Sequence, residues 1–110
     1  MKLILSPLNK QEIKTLQKKY GSYIKVTVDI KKNILVAGCI LHADGEKILL
    51  DQKSLQDNIW GGGINLTTGE IDATAVLNIR PKLQNNSLEI LDPSRRKKLI
   101  NIVKKLFSSL

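Results

Sequence analysis

The chain has 110 residues, which is the usual size of one domain. Hydrophobic residues make up 42% and charged residues 25%, a mixture that excludes a disordered chain. The single cysteine, Cys39, excludes an intrachain disulfide and argues against a cysteine-ligated zinc site. The longest apolar run, residues 34–41, is too short to cross a bilayer. Because residues 1–8 also lack the pattern of a signal peptide, we expect a cytoplasmic protein that does not bind membranes.

The net charge of +8 is unevenly distributed. Basic residues far outnumber acidic ones in residues 1–32 and 93–110, whereas acidic residues outnumber basic ones in residues 33–92. Basic terminal segments can contact phosphates, so weak, non-specific nucleic-acid binding is one expectation. The few aromatic residues show no stacking pattern, and no motif for reading DNA is present. A basic nucleic-acid-associated protein is therefore an alternative and not our first interpretation.

The first third of the chain predicts a strand, a helix and a second strand. Residues 1–6 are apolar enough for an edge strand. Asn9 and Glu12 have the spacing of a capping box, and apolar residues then recur at helical spacing, which predicts a helix over 10–20. Apolar and polar residues alternate over 24–30, which predicts a half-buried strand.

The middle of the chain predicts a hairpin followed by a loop. Residues 34–41 are apolar at every position, as expected for a strand covered on both faces. Asp44-Gly45 is a strong hairpin-turn signal, so residues 47–51 are predicted as the returning strand. Residues 52–63 have no clear period and predict a loop with one helical turn. Within it, Trp60 and the three glycines that follow predict a mobile segment anchored by a buried indole ring.

The last third of the chain predicts a second hairpin and a C-terminal helix. Residues 64–66 and 71–79 are predicted as the two arms of a hairpin around residues 67–69. Asp92 suits the N-cap of a helix and Pro93 suits its first position, and a stripe of apolar residues follows at helical spacing.

These elements predict an α+β fold. It consists of a single antiparallel sheet of about five strands, with an N-terminal and a C-terminal helix packed on one face. No repeat, low-complexity tract or linker interrupts the sequence, so residues 1–110 are expected to form a single domain. No motif indicates a cofactor, and no catalytic pattern is specific enough to decide whether the protein is an enzyme.

Three stretches contain polar or aromatic residues that the fold does not obviously need: 42–46, 60–63 and 80–87. We interpret the protein first as a binding domain whose site takes a small anionic ligand or an acidic segment of a partner. A guanidinium group can hold a carboxylate by two hydrogen bonds, which makes an arginine after a strand a natural anchor. The candidate site residues are His42, Asp44, Glu46, Trp60, Arg80 and Asn86.

Two other interpretations use the same residues. On a straight strand, His42, Asp44 and Glu46 would share a face and suit a divalent metal, which would fit a metal-dependent hydrolase. A turn at Asp44-Gly45 would separate these side chains, so no metal site is predicted. An internal ion pair would also remove Arg80 from ligand binding. The carboxylates that could form it are Glu46, Asp57 and Glu89.

The landmarks of the sequence are Leu41-His42-Ala43-Asp44 with Glu46, Asn58-Ile59-Trp60-Gly61, Asn78-Ile79-Arg80-Pro81, Asn86-Ser87, Asp92 and Arg95. In this order and spacing, they resemble a family of small prokaryotic proteins catalogued only as a domain of unknown function. The resemblance covers about residues 26–103 and implies a compact cytoplasmic domain without a stated activity. An aromatic residue and a proline are typical of the family after the Trp-Gly pair. Residues 62–66 contain neither, so a shortened loop is expected.

Overall fold

The computed structural model describes residues 1–110 as an antiparallel five-stranded sheet with three α-helices, which confirms the predicted α+β class. None of these helices has the length and apolarity that crossing a membrane requires. The strands lie in the order β1-β3-β2-β4-β5. They are β1 (Lys2–Ile4), β2 (Tyr23–Asp29), β3 (Ile34–Ala37), β4 (Ile59–Asn65) and β5 (Ile71–Asp72). The helices are α1 (Lys10–Tyr20), α2 (His42–Asp51) and α3 (Pro93–Leu106).

Helices α1 and α3 pack on one face of the sheet, as predicted. The Asn9 side chain accepts a hydrogen bond from the Glu12 N–H at 2.8 Å, and the Glu12 carboxylate accepts one from the Asn9 N–H at 3.0 Å. This capping box starts α1 at the predicted residue. Asp92 caps α3 through the Ser94 N–H. The apolar stripes of both helices and one face of β2 share a core.

Helix α2 occupies the opposite face of the sheet, so the predicted hairpin at Asp44-Gly45 is wrong, as is the predicted return strand over 47–51. Leu49 packs there in a second, smaller core. Gly45 is buried against β2, where an added Cβ would lie only 2.6 Å from the Thr27 Oγ1 atom. The glycine that resembles a turn signal therefore permits close approach of a helix to the sheet. Strand β3 ends at Ala37, earlier than predicted, because Gly38 has a φ of +81° and the chain turns there toward α2.

The Trp-Gly-Gly-Gly segment is a central strand and not the predicted loop. Only residues Gln56–Asn58 form the expected helical turn, and β4 follows at once with β2 on one side. Trp60 is fully buried, as predicted, but the glycines after it are also buried and are held in the sheet. An added Cβ at Gly61 would lie 2.9 Å from the His42 ring, so the strand needs glycine where the start of α2 crosses it.

Strand β5 covers only Ile71–Asp72, so the predicted strand over 71–79 is wrong beyond residue 72, and Val76–Asn78 form a short 3-10 helix instead. Beyond β5, the Asn78 side chain takes the place of a neighbouring strand. It accepts a hydrogen bond from the Gly61 N–H at 2.8 Å and donates one to the Gly61 carbonyl at 2.9 Å. Arg80 was expected directly after a strand, but β5 ends at Asp72. By residue 80 the chain lies against α2, where Arg80 bonds to Glu46.

Candidate binding site at the start of helix α2

The structure brings together three of the residues proposed from the sequence. The Arg80 Nη2 atom donates to the Glu46 carboxylate at 3.2 Å, and its Nη1 atom donates to the Gln56 carbonyl at 3.0 Å. The guanidinium carbon lies 4.9 Å from the centroid of the buried Trp60 ring. Arg95 of α3 lies at the same distance from that ring. The cluster thus links α2, the segment after β5 and α3.

Both members of this ion pair are largely withdrawn from water. The Arg80 and Glu46 side chains are 13% and 16% exposed. Burial lowers the pKa of Arg80, and the nearby Glu46 carboxylate opposes that shift. An arginine with both terminal nitrogens engaged by the protein has little left to offer an external anion. The arrangement is the internal ion pair that competes with ligand binding, and it holds the segment after β5 against α2.

Asp44 and Asn86 do not join this cluster. Asp44 is exposed in the first turn of α2, and Asn86 is exposed in the loop before α3. The neighbouring Asn85 is buried instead and organises the loop. Its side-chain amide donates to the carbonyls of Asn78, Ser87 and Glu89, and its carbonyl accepts from the Leu91 N–H.

The helix also removes the ligand set that a metal-dependent hydrolase would need. The His42 ring is hydrogen-bonded to the Gly62 carbonyl of the sheet, and the Glu46 carboxylate is hydrogen-bonded to Arg80. The exposed Asp44 carboxylate joins neither of these bonds. No group of three or more His, Cys, Asp or Glu side chains in the structure could hold a metal ion. The hydrolase interpretation therefore has no set of ligands to rest on.

His42 is the first residue of α2 and contacts β4. Its Nε2 atom lies 2.8 Å from the Gly62 carbonyl oxygen. Because a carbonyl can only accept, Nε2 carries the proton and Nδ1 keeps its lone pair in the neutral ring. Burial lowers the pKa of His42, the bond to Gly62 opposes this, and the Lys25 ammonium group lowers it further. The ring is therefore neutral at neutral pH.

An open cleft lies beside His42, and we call it the α2 cleft. Its lining residues are Lys25, Leu41, His42, Ala43, Val76 and Leu77. The apolar side chains at its rim are unusually exposed, at 59% for Leu41 and 75% for Val76, and Ile40, which precedes Leu41 in the chain, is 79% exposed. Single exposed apolar side chains are ordinary, but several around one cleft are typical of an interaction site.

The polar side chains that line the α2 cleft are Lys25 and the neutral His42, and the exposed Asp44 carboxylate lies nearby in the first turn of α2. The Lys25 Nζ atom donates to the Ile40 carbonyl at 2.9 Å, which fixes the ammonium group at the mouth of the cleft. No side chain caps the first turn of α2, whose N-cap residue is Leu41. The N–H groups at the start of a helix have no partner within the helix and carry partial positive charge. The cleft thus combines apolar walls with a lysine ammonium group and an uncapped helix start, next to the Asp44 carboxylate.

Sequence reasoning found His42 but missed the rest of the cleft. Leu41 was assigned to the end of a strand and Val76 to the middle of another, where neither would meet the other. A helical interpretation of residues 42–51 would have found the site, because His42, Gly45 and Leu49 have the spacing of one helix face. All three residues contact the sheet or the core beneath α2.

Comparison with known proteins places the chain in a family but gives it no activity. Searches of curated proteins and of solved structures find no match. One family model does match, and its range includes all the sequence landmarks from Leu41 to Arg95, which confirms the resemblance seen in the sequence. The match covers residues 2–106, and the chain therefore belongs to the family described as "Protein of unknown function (DUF5674)".

Proposed function

We propose that the protein is a binding domain whose α2 cleft takes an acidic segment of a protein partner. The observation that carries this proposal is that exposed apolar walls, a lysine ammonium group and an uncapped helix start occur in one cleft. Apolar walls alone would accept any hydrophobic segment, whereas the cation selects a carboxylate. The expected ligand is a short segment in which Asp or Glu adjoins a large apolar side chain.

The chemistry of the cleft supports each half of such a ligand. Lys25 has three N–H donors and uses one for the Ile40 carbonyl, so donors remain for a carboxylate. A carboxylate near a helix start gains about 0.3–1 kcal/mol at the surface. Covering an apolar side chain with Leu41 and Val76 adds at most about 1.5–3 kcal/mol. These magnitudes predict a weak, transient complex.

A small anionic ligand is the second candidate for the same cleft. It would use the Lys25 ammonium group and the start of α2 but would leave the exposed Leu41 and Val76 side chains without a role. The apolar rim therefore favours the peptide segment. The two candidates differ in whether binding needs an apolar group, and a comparison of probes can measure that difference.

The proposal can be tested by NMR titration of the isotope-labelled protein with four probes. These are the blocked peptide acetyl-Leu-Asp-Leu-amide, its Asn and Lys counterparts, and acetate. We expect the acidic peptide to shift the amide signals of residues 25, 40–43 and 76–77. The Asn side chain can still accept a hydrogen bond from Lys25 but carries no charge, so the Asn peptide should bind about two- to fivefold more weakly, as expected for the loss of about 0.3–1 kcal/mol.

Matched variants connect the binding to the cleft. Lys25→Met and Val76→Ser should each weaken the acidic peptide, whereas Lys47→Met and Leu55→Ser change exposed residues of the same types outside the cleft. Equal weakening by both pairs, or shifts spread over the whole surface, would overturn the proposal. Binding of acetate as tight as that of the peptide would replace the partner segment with a small anion.

A further inference from the structure

The outer surface of the α1–α3 layer is dominated by lysines. Lys10, Lys14 and Lys18 are four residues apart in α1, so they form a stripe along that helix. Lys97 and Lys104 are seven residues apart in α3 and form a second stripe. A hydrogen bond of 2.9 Å from the Leu8 N–H to the Leu106 carbonyl joins the start of α1 to the end of α3. We define the basic helical surface by the exposed residues Lys10, Lys14, Lys18, Lys97, Lys104 and Lys105.

Charges on this surface are not neutralised within the protein. Its lysines form none of the ion pairs or side-chain hydrogen bonds of the structure, unlike Lys2, which pairs with Glu12 at 2.9 Å. Glu12 is the sole acidic residue in α1 and α3, so its pairing with Lys2 and the Asn9 N–H leaves no carboxylate for them. The arginines are also engaged, since Arg80, Arg95 and Arg96 each lie beside a carboxylate.

Helices α1 and α3 supply no apolar anchor to this surface, although the exposed Leu110 borders it beside Lys10 and Lys14, and the exposed Leu5 borders it beside Lys105. No large apolar side chain of α1 or α3 is exposed, although exposed ones occur around the α2 cleft and elsewhere. Helices that bind a bilayer surface insert apolar side chains between the lipids, so this surface does not suit a membrane. Unpaired bases stack on exposed aromatic rings, and neither helix exposes one. Lysine side chains without apolar or aromatic neighbours are sufficient to bind the phosphate backbone of a duplex, because they neutralise the phosphates and release their counterions.

We propose that the basic helical surface binds the phosphate backbone of duplex nucleic acid without reading its sequence. Lys97 and Lys104 lie about 10 Å apart along α3. Phosphates of one strand follow each other about every 3.4 Å of duplex axis, so the two lysines span about three phosphate steps. In this binding mode, the lysines of the α1 stripe contact further phosphates of the same duplex. This surface is separate from the α2 cleft, because the two lie on helices that cover opposite faces of the sheet.

The test is the salt dependence of binding to a fluorescent 20-base-pair duplex, measured with the full chain by anisotropy between 25 and 200 mM KCl. We expect the logarithm of the affinity to fall linearly with the logarithm of the salt concentration, and two unrelated duplex sequences to bind equally. Lys14→Gln with Lys104→Gln should reduce the slope by about 2, because each lysine lost removes about one phosphate contact.

The control pair is Lys47→Gln with Lys53→Gln, which removes the same charge from exposed lysines in and after α2. Its slope should equal that of the unmodified protein. Equal slopes for both pairs would mean that only the net charge acts, and the proposal would fail. It would also fail if no duplex bound at 25 mM KCl, if single strands bound more tightly than the duplex, or if anionic vesicles bound where the duplex did not.

Discussion

The two faces of the sheet hold their helices in different ways. On one face, α1 and α3 pack through continuous apolar stripes, which contribute to a core shared with Val26, Val28 and Trp60. On the other face, α2 contributes few buried residues, and its position depends on individual contacts. These include the close approach of Gly45 to Thr27 and the ion pair of Glu46 with Arg80.

This difference determines what local sequence can reveal. A stripe repeats along the helix that carries it, so periodicity alone locates the element and its buried face. A contact between one side chain and a distant backbone leaves no repeat in the sequence. Substitutions on the face with α1 and α3 should therefore lower the free energy of unfolding in proportion to the apolar volume that they remove. Substitutions on the face with α2 should lower it according to the specific contacts that they break.

The largest effect is expected from the stripe of α3. Leu106 is 2% exposed and belongs to the main core, so Leu106→Ala removes buried volume and leaves a cavity. We expect a loss of about 2–5 kcal/mol in the free energy of unfolding, measured by urea titration. The control is Leu110→Ala, at a position that is 50% exposed, which should cost less than about 0.5 kcal/mol. Similar losses in both variants would show that α3 is only loosely attached to the sheet.

The second effect separates two adjacent asparagines in the loop before α3. Asn85 is 1% exposed, and its side chain forms four hydrogen bonds. Asn86 is exposed, and its side chain takes part in no hydrogen bond within the protein. Asn85→Ala leaves the buried Asn78 carbonyl and the part-buried Ser87 and Glu89 carbonyls without this donor, and it should cost about 3 kcal/mol in the free energy of unfolding. Asn86→Ala should change stability by less than about 0.5 kcal/mol. A costly Asn86→Ala with a tolerated Asn85→Ala would contradict this account of the loop.

The third effect compares two glycines of β4. An added Cβ at Gly62 would collide with the backbone oxygen of Asp72, which cannot move alone. At Gly63 it would meet the end of the Tyr23 ring, a side chain that is 46% exposed and can swing away. Gly62→Ala should therefore cost about 1–3 kcal/mol in the free energy of unfolding, as expected for overpacking. Gly63→Ala should cost less, and the reverse order would show that Tyr23 is fixed by its hydrogen bond to Asp72.

The elements that sequence reasoning predicted are those whose signals are local. Helix α1 begins with a capping box and α3 with an Asp-Pro pair, and both carry stripes that define their buried faces. The strands β1 and β2 follow short apolar or alternating patterns. For these elements the local preference and the tertiary packing agree, so the pattern was sufficient.

The errors occur where a glycine serves a distant contact. Asp44-Gly45 has the composition of a turn, yet Gly45 lies inside α2 because Thr27 and Cys39 leave no room for a larger side chain. Glycines are weak strand formers, but Gly61 lies in β4 because His42 crosses above it. Both incorrect predictions concern residues at the contact between α2 and β4. The α2 cleft lies beside this contact, so it was not predicted.

The smallest effect is a pH dependence that is specific to α2. His42 is the only histidine, and burial lowers its pKa below the ordinary value of 6.5. The unfolded chain therefore binds this proton at a higher pH than the folded chain does. The stabilising contribution of neutral His42 is complete above pH 6.5 and is lost as the pH falls through the lower, folded-state pKa. Urea titrations at pH 7.5, 6.5 and 5.5 should show a declining free energy of unfolding.

His42→Gln is the matched variant, because its amide can still donate to the Gly62 carbonyl but does not titrate in this range. Its free energy of unfolding should stay level between pH 7.5 and 5.5. Glu12 does not interfere, since its pKa is lowered from 4.5 and its contribution is lost only at more acidic pH. Amide hydrogen exchange should show the largest loss of protection at α2, because His42 lies where the start of α2 contacts β4. If the variant declines as steeply as the unmodified protein, the proton is bound elsewhere and the contact of His42 with β4 does not control the stability of this face.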